Sequence, residues 1–222
     1  MGDAAKEEIM KVYNYILFDW DGCLAKSLDI ALDAYKVVFK KFGISLSDKT
    51  ITHEIFGDWH APEKLGISDT KKFWKDWHDE LNREYPSVEL YEHVRAVLDA
   101  LKKQKKKLAL ISSSRRQTLQ EPLKRHKVTE LFDVILTVDD VVKEKPDPEI
   151  INKAIDIVQG TKENSIIVGD SKSDLVAANN AEIDSLLFYP THNHIFYDLK
   201  VLESYKPTYV VDDFRKLLDI IV

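Results

Sequence analysis

The feature that most constrains this chain is an apolar run, residues 12–18, that ends abruptly in Asp19-Trp20-Asp21-Gly22. Such a run predicts a strand buried on both faces, as in a parallel sheet. Because residues i and i+2 of a strand point the same way, Asp19 and Asp21 can aim into one site at the strand's end. Gly22 permits a sharp turn and a close approach to a ligand. Two neighbouring carboxylates acquire unequal pKa values, which suits a nucleophile beside a proton donor, or a divalent metal.

Size and composition restrict the class of protein. The 222 residues allow a domain with a substantial core plus a smaller insert, and 44% hydrophobic residues argue for a globular chain. The net charge of −6 disfavours a nucleic-acid partner, and no apolar run approaches the roughly 20 residues that span a bilayer. One cysteine, Cys23, and the lack of an apolar signal core in residues 1–8 favour the cytoplasm. We expect a monomer or homodimer.

Downstream of Gly22 the sequence pattern changes twice. Residues 27–84 have apolar side chains at helical spacing and no convincing strand, which predicts a helical insert of roughly 60 residues. From residue 90 onward, helical segments alternate with short apolar strands at residues 107–111, 132–136, 165–168, 185–189 and 207–211. This alternation predicts an α/β fold, a parallel sheet with helices on both faces, whose ligands bind beyond the carboxyl ends of the strands.

Polar residues occupy those predicted strand ends. Asp19 and Asp21 follow the first strand, Ser112 the second and Asp170 the fourth, while Lys145 lies in the loop after the third. This is an acidic site with one hydroxyl and one ammonium group, and carboxylates are the ligands that Mg²⁺ prefers. A phosphate ester is anionic and resists attack by anions, and a metal ion and a lysine offset that charge.

These residues lie in four short motifs that resemble, in order, those of the haloacid dehalogenase-like (HAD) hydrolase superfamily. The motifs are Asp19-Trp20-Asp21-Gly22, Ser112 after residues 108–111, Lys145-Pro146-Asp147-Pro148, and Gly169-Asp170-Ser171-Lys172-Ser173-Asp174. The resemblance covers nearly the whole chain from about residue 13. It implies a Rossmann-like core at residues 1–26 and 86–222 with a helical C1 cap at 27–85, of the phosphoglycolate phosphatase or β-phosphoglucomutase-like type.

The resemblance also implies a chemical role for each motif residue. Asp19 would attack phosphorus and form an aspartyl-phosphate. Asp21 would protonate the leaving alcohol and then take a proton from the hydrolytic water. Ser112 would donate a hydrogen bond to a phosphoryl oxygen, and Lys145 would neutralise charge on Asp19 and the phosphate.

The implied cofactor is Mg²⁺, held by oxygen ligands. Its ligands would be the Asp19 carboxylate, the Asp21 backbone carbonyl and Asp170, with Asp174 as a further ligand or a supporting residue. One position departs from the family pattern, since Cys23 stands where threonine is usual. A small packed side chain is the simpler interpretation of Cys23 than a redox group.

Four further residues are candidates for contacting the substrate. Ser113 and Arg115 follow the Ser112 position, where a hydroxyl and a guanidinium can reach substrate oxygens. Trp59 and His60 lie in residues 57–60, which resemble the family's substrate-specificity loop. We expect these four side chains to surround the leaving group.

The predicted function is a Mg²⁺-dependent phosphatase that acts on a small phosphorylated metabolite resembling phosphoglycolate or a sugar phosphate. Asp21 fits transfer to water or to a sugar, so a phosphosugar mutase remains an alternative, weakened by the lack of an arginine near Gly57. A phospho-aspartate signalling or binding domain of receiver type also uses such a site. The helical insert and the Asp-x-Asp spacing argue against that class.

Overall fold

The computed structural model describes residues 11–221; the N-terminal stretch 1–8 considered above and Val222 lie outside them. Six strands form one sheet: β1 (Tyr15–Phe18), β2 (Lys107–Ile111), β3 (Val134–Leu136), β4 (Ser165–Gly169), β5 (Asp184–Phe188) and β6 (Tyr209–Val211). The order is β3-β2-β1-β4-β5-β6, and every pairing is parallel. The predicted α/β sheet is therefore confirmed, with β1 at its centre.

The faces of β1 show why its sequence is apolar throughout. Ile16 and Phe18 pack into one core cluster, together with apolar residues of helices on that face, whereas Leu17 packs into a second cluster on the opposite face. All three side chains are fully buried. A strand covered on both faces has no solvent side on which polar residues could alternate.

Ten helices connect or cover the strands within the described residues. They are α1 (Leu28–Lys41), α2 (Asp48–Thr50), α3 (Ala61–Lys64), α4 (Thr70–Glu84), α5 (Val94–Lys103), α6 (Arg116–Arg125), α7 (Glu149–Ile157), α8 (Lys172–Ala181), α9 (Leu199–Glu203) and α10 (Leu217–Ile220). Apolar residues of α5, α6 and α10 join the first core cluster, and those of α7 and α8 join the second. None of these helices is long and apolar enough to cross a bilayer.

The segment between β1 and β2 is helical, and its main packing is aromatic. Helix α1 packs on α4, with the Tyr35 and Trp77 ring centroids 5.1 Å apart and those of Phe39 and Phe73 4.9 Å apart. The Asp69 side chain caps α4 by accepting a hydrogen bond from the Lys72 amide. This segment passes into a 3₁₀ turn, Tyr85–Ser87, on its way back to the sheet.

Local boundaries differ from the sequence expectations in a few places. Helix α3 starts directly after the candidate substrate loop at residues 57–60, because Pro62 suits the first helical turn. Within the predicted helical insert, α2 continues into a π-helical turn, Ile51–Ile55. Helix α5 begins at Val94 rather than near residue 90, and α9 was not predicted.

Candidate active site

The central strands deliver their following residues to one edge of the sheet. The Asp19 amide donates to the Val168 carbonyl at 2.9 Å, and the Ser112 amide donates to the Leu136 carbonyl at 3.0 Å. Each residue thus extends the hydrogen-bond ladder one step beyond its strand. Asp170 follows β4 directly, so all three side chains are placed by the sheet itself and are buried.

Lys145 forms an ion pair with Asp19 and another with Asp174. Its Nζ atom lies 2.6 Å from Asp19 Oδ1 and 2.7 Å from Asp174 Oδ1, and only 2% of the side chain is exposed. Burial opposes the charge on Lys145, but Asp174 and Asp19 outweigh it and raise its pKa. The lysine is therefore a fixed positive charge beside Asp19.

Asp170 has the opposite surroundings. Both carboxylate oxygens are buried, and neither has a hydrogen-bond partner within residues 11–221. Burial, and then the charge of nearby Asp170, raise the pKa of Tyr197. The two side chains are close together, but their atoms do not reach hydrogen-bond geometry. Burial, reinforced by Asp174 and Asp19, also raises the pKa of Asp170 well above its usual range. A buried carboxylate without donors fits a metal cation.

Two glycines beside the acidic residues have no room for a side chain of their own. Gly22 has a φ of +77°, and a Cβ there would lie 2.1 Å from Asp170 Oδ2. Gly169 is equally constrained, because a Cβ would approach Asp174 Cγ to 2.5 Å. Glycine at these two positions lets the loop after β1 and the start of α8 close around the acidic residues.

Asp19, Asp170 and Asp174 each offer a carboxylate oxygen within 4.8 Å of the others, which is compact enough for one ion. Burial raises the pKa of Asp19 to about 8, with Lys145 opposing the shift and Asp174 and Asp21 adding to it. A divalent cation would lower the pKa of Asp19 and Asp170. The oxygen-only donor set fits Mg²⁺.

Asp174 has the fewest free oxygens of the three. Its Oδ1 accepts from Lys145, and its Oδ2 accepts from the Ser171 amide at 3.2 Å and the Ser171 hydroxyl at 2.7 Å. These Ser171 contacts form a capping box at the start of α8. Of the two roles predicted for Asp174, the geometry favours support, since the residue orients Lys145.

Asp21 is held by two hydroxyl donors that the sequence patterns did not identify. Tyr85 donates to Oδ1 in a short hydrogen bond, and the Ser114 hydroxyl donates to Oδ2 at 2.7 Å. Tyr85 is 64 positions away in sequence and Ser114 is 93 away, so no local spacing reveals either contact. Burial and the Asp21 charge raise the pKa of Tyr85, so its hydroxyl stays a donor.

A third residue that the sequence patterns did not identify supports the turn after Asp21. Asn193 is fully buried, and its Nδ2 donates to the Gly22 carbonyl at 2.9 Å. Tyr91 donates to Asn193 Oδ1. Cys23, in the same turn, is also buried, with its Sγ 3.4 Å from the Val168 carbonyl. Burial followed by the charges of Asp19 and Asp170 raises the thiol's pKa, which favours the packing interpretation.

Three of the four predicted substrate-contacting residues meet at one cavity. Trp59, Ser113 and Arg115 line a space of about 390 Å³ beside Asp21. His60 does not line this cavity; its exposed ring has Nδ1 3.3 Å from Glu63 Oε2. Ser112 is buried below, and its Oγ accepts from the Ser114 amide at 3.0 Å, which leaves its own O–H free to donate.

Fold and site together define an α/β enzyme with an acidic centre at the strand ends. The family model described as haloacid dehalogenase-like hydrolase matches residues 16–188. The chain therefore belongs to the haloacid dehalogenase-like hydrolases, and the predicted family and hydrolase class are confirmed.

Similar proteins refine this placement. Curated relatives include pyrophosphatase PpaX of Bacillus cereus strain B4264, 32% identical over 94% of this chain and 96% of the relative, and PpaX of Bacillus mycoides strain KBAB4, 32% identical over 96% and 98%. A solved candidate phosphoglycolate phosphatase from Lactobacillus plantarum has a TM-score of 0.82 at 23% identity, over 94% of this chain and 99% of that one. A candidate β-phosphoglucomutase from Thermotoga maritima has a TM-score of 0.73 at 26% identity, over 94% and 100%. These likenesses agree with the placement of the chain among the haloacid dehalogenase-like hydrolases.

Proposed function

We propose that the protein is a Mg²⁺-dependent phosphatase that hydrolyses a small phosphorylated metabolite through an aspartyl-phosphate on Asp19. The main support is the difference in hydrogen bonding between Asp19 and Asp21. Asp19 binds Lys145 through Oδ1, and its Oδ2 has no donor among residues 11–221, whereas both oxygens of Asp21 are held by hydroxyls. Asp19 is therefore free to attack phosphorus, and Asp21 is oriented to exchange protons.

In the first half-reaction, Asp19 Oδ2 forms a bond to phosphorus while the bond from phosphorus to the leaving oxygen breaks. The Asp21 carboxyl group gives its proton to that leaving oxygen. Lys145 offsets charge on Asp19, and the Ser112 hydroxyl donates to a phosphoryl oxygen. The leaving group departs as a neutral alcohol.

In the second half-reaction, water attacks phosphorus and loses a proton to the Asp21 carboxylate. The bond between phosphorus and Asp19 Oδ2 breaks, which releases inorganic phosphate and restores both side chains. Tyr85 and Ser114 act as positioning residues, because they hold Asp21 where it can face the leaving oxygen and later the water.

Asp19, Asp170 and the Asp21 backbone carbonyl would hold Mg²⁺, with Asp174 in support. The ion, when bound, would offset negative charge on the phosphoryl group. The donorless Asp170 carboxylate supports this assignment from the chain's own residues. It also explains how several buried acids tolerate one another in the folded enzyme.

We further propose residues 27–85 as a cap domain and the rest of the chain as the core. The cavity beside Asp21 supports this division, because the helical segment contributes Leu28, Trp59 and Trp77 while the core contributes Ser113 and Arg115. Gly22-Cys23 and the turn near Tyr85–Ser87 are the proposed hinges. A site enclosed in this way suits small metabolites better than phosphoproteins.

The main alternative is a phosphosugar mutase that uses the same nucleophile. The likeness to a candidate β-phosphoglucomutase favours it. A mutase must also bind a second phosphate, and within residues 11–221 Arg115 is the one charged cation on the cavity lining. We therefore place hydrolysis first. A phospho-aspartate signalling domain ranks below both, because of the inserted helices.

Further proposals concern the protein's location, its oligomeric state and its partners. We propose a cytoplasmic monomer or homodimer that does not bind nucleic acid, on the basis of the single buried cysteine and the net charge of −6. Inorganic pyrophosphate is a candidate substrate because the curated relatives are named pyrophosphatase PpaX.

The test is phosphate release from a panel of small phosphate esters and pyrophosphate, with Mg²⁺ and with EDTA. Asp19→Asn removes the nucleophile at similar volume, so we expect turnover to fall by about 10³-fold or more with the fold intact. Asp99→Asn, an exposed carboxylate on α5, is the matched control and should retain full activity. Activity that survives in Asp19→Asn, or that EDTA leaves untouched, would contradict the proposal.

A further inference from the structure

The charges around the cavity bear on the identity of the leaving group. Its lining carries two carboxylates, Asp21 and Glu144, and one guanidinium, Arg115. His78 also lines it, but burial and Arg115 lower the pKa of this ring, so it is uncharged at neutral pH. A second anionic group in this space would meet the Arg115 cation, the Glu144 carboxylate and the proton-donating Asp21, so the one cation is already balanced by Glu144.

This balance disfavours substrates whose leaving group is itself an anion. Pyrophosphate would leave a phosphate in the cavity, and phosphoglycolate would leave a carboxylate there. A desolvated anion is costly unless it is paired and fully hydrogen-bonded, and Glu144 would repel it. The lining therefore favours an uncharged leaving group.

Part of the cavity wall is apolar and aromatic. Trp59 is 54% exposed, and its ring packs on that of Trp74 with centroids 4.9 Å apart and planes tilted by 57°. Leu28, Leu81 and Trp77 extend this wall. An indole ring held by a second indole can stack on a ligand ring at low entropic cost, because it is already ordered.

Other residues of the same lining are polar. Ser113 and Thr118 supply hydroxyls, and Glu144 supplies a carboxylate, all on the cavity lining. Carboxylates commonly accept hydrogen bonds from ribose hydroxyls. A sugar next to the phosphate would therefore find both donors and acceptors.

From this arrangement we infer that the substrate is a phosphate monoester with an uncharged, ring-bearing leaving group of the nucleoside type, rather than pyrophosphate or phosphoglycolate. The ring would stack on Trp59, and the sugar would lie beside Glu144 and Ser113. This inference rests on the proposed phosphatase function, whose nucleophile it shares.

The experiment ranks kcat/KM, with Mg²⁺, for uridine 5′-monophosphate, phenyl phosphate, glucose 6-phosphate, phosphoglycolate and pyrophosphate. Because stacking of a base on an aromatic side chain commonly changes affinity by tenfold or more, we expect the two ring-bearing esters to exceed the other three by about tenfold. Uridine monophosphate should lead phenyl phosphate because of its sugar. A ranking led by pyrophosphate, phosphoglycolate or glucose 6-phosphate would overturn the inference.

Variants locate the cause of the preference. Trp59→Ala should reduce the ratio of uridine monophosphate to glucose 6-phosphate turnover by about tenfold, and Trp59→Phe should restore most of it. Ile195→Ala is the matched control, because Ile195 is also 54% exposed but does not line the cavity. An unchanged ratio in Trp59→Ala would overturn the stacking assignment.

The two proposals fail in different ways. If pyrophosphate leads the ranking and Asp19→Asn abolishes its hydrolysis, the phosphatase mechanism stands and the leaving-group inference is wrong. If none of the five compounds is hydrolysed, or if Asp19→Asn leaves hydrolysis intact, the proposed function fails and the inference fails with it.

Discussion

Two aspartates at opposite ends of the strands have very different hydrogen-bond partners. Asp133, beside the amino ends of β2 and β3, accepts from Lys102 at 2.7 Å, from Lys107 at 2.9 Å and from the Leu108 amide at 2.9 Å. Asp170, at the carboxyl end of β4, is buried with no donor within residues 11–221. The hydrogen-bonding capacity of Asp133 is filled by protein donors, whereas the oxygens of Asp170 are available to a ligand such as a metal ion.

The pKa values of the two residues move in opposite directions. Burial alone would raise the pKa of Asp133, but Lys102, the Leu108 amide and Lys107 outweigh it and lower the value to about 2. Burial and neighbouring acids raise the pKa of Asp170 instead. Asp133 therefore stabilises the fold, whereas Asp170 costs stability that a bound cation would return. A functional acid is recognised here by its missing partners.

Among the variants that test this difference between Asp133 and Asp170, Asp170→Asn should have the largest effect. Asp170→Asn should lower activity by about 10²-fold or more, because a metal ligand is lost. In EDTA the variant should unfold at a higher temperature than the native chain, because the cost of burying an ionisable acid without a partner is removed. Added Mg²⁺ should stabilise the native chain and leave the variant unchanged. Thermal unfolding followed with EDTA and with Mg²⁺ measures this, and a variant destabilised in EDTA would break the comparison.

Tyr85→Phe tests an intermediate case, a site carboxylate that the protein does satisfy. Loss of the hydroxyl leaves Asp21 with one donor, so we expect kcat to fall about tenfold on alkyl esters, whose leaving oxygen needs a proton. The loss should be smaller on p-nitrophenyl phosphate, whose leaving group needs none. Steady-state kinetics on both substrates measure the split.

Tyr15→Phe serves as the control for Tyr85→Phe. Tyr15 also donates through its hydroxyl, to the Gln159 carbonyl at 3.2 Å, but it lies at the start of β1, away from the site. Its kinetics should match the native chain. An equal loss of kcat on both substrates in Tyr85→Phe would indicate a structural role for that residue rather than positioning of Asp21.

The smallest expected effect is on stability alone. The pKa of Asp133 in the folded state is about 2, below the roughly 3.9 of an unfolded aspartate. Its contribution, about 2 kcal/mol, is therefore present above pH 4 and is lost as the pH falls towards 2. Asp133→Asn should lose this amount at pH 7, keep full activity, and show a flatter decline in acid. Urea unfolding from pH 7 to pH 3 checks the sign, and a steeper acid decline in the variant would contradict it.

The sequence predicted best what local patterns encode. β2 was expected at residues 107–111 and is found there, and the sharp turn expected at Gly22 is present, with a φ of +77°. The α/β fold and the family also followed from short motifs on alternating elements. In each case the determining residues are neighbours in the chain.

Contacts between distant segments were not predictable in this way. The donors to Asp21, Tyr85 and Ser114, come from the end of the helical segment and from the loop after β2, and only the folded chain brings them together. Loop patterns placed Trp59 at the cavity but did not distinguish it from His60, which faces solvent beside Glu63. Side-chain direction in a loop depends on tertiary packing, such as that of Trp59 on Trp74.

Asp19 should carry the phosphoryl group during turnover. The direct measurement is acid quenching of the enzyme during turnover of a substrate from the panel, followed by peptide mapping of the phosphorylated residue. We expect phosphate on Asp19 and none in Asp19→Asn; with p-nitrophenyl phosphate, whose leaving group needs no proton, Asp21→Asn should accumulate more of it because only hydrolysis of the intermediate slows. Turnover with no phosphorylated residue, or with phosphate on another side chain, would contradict it.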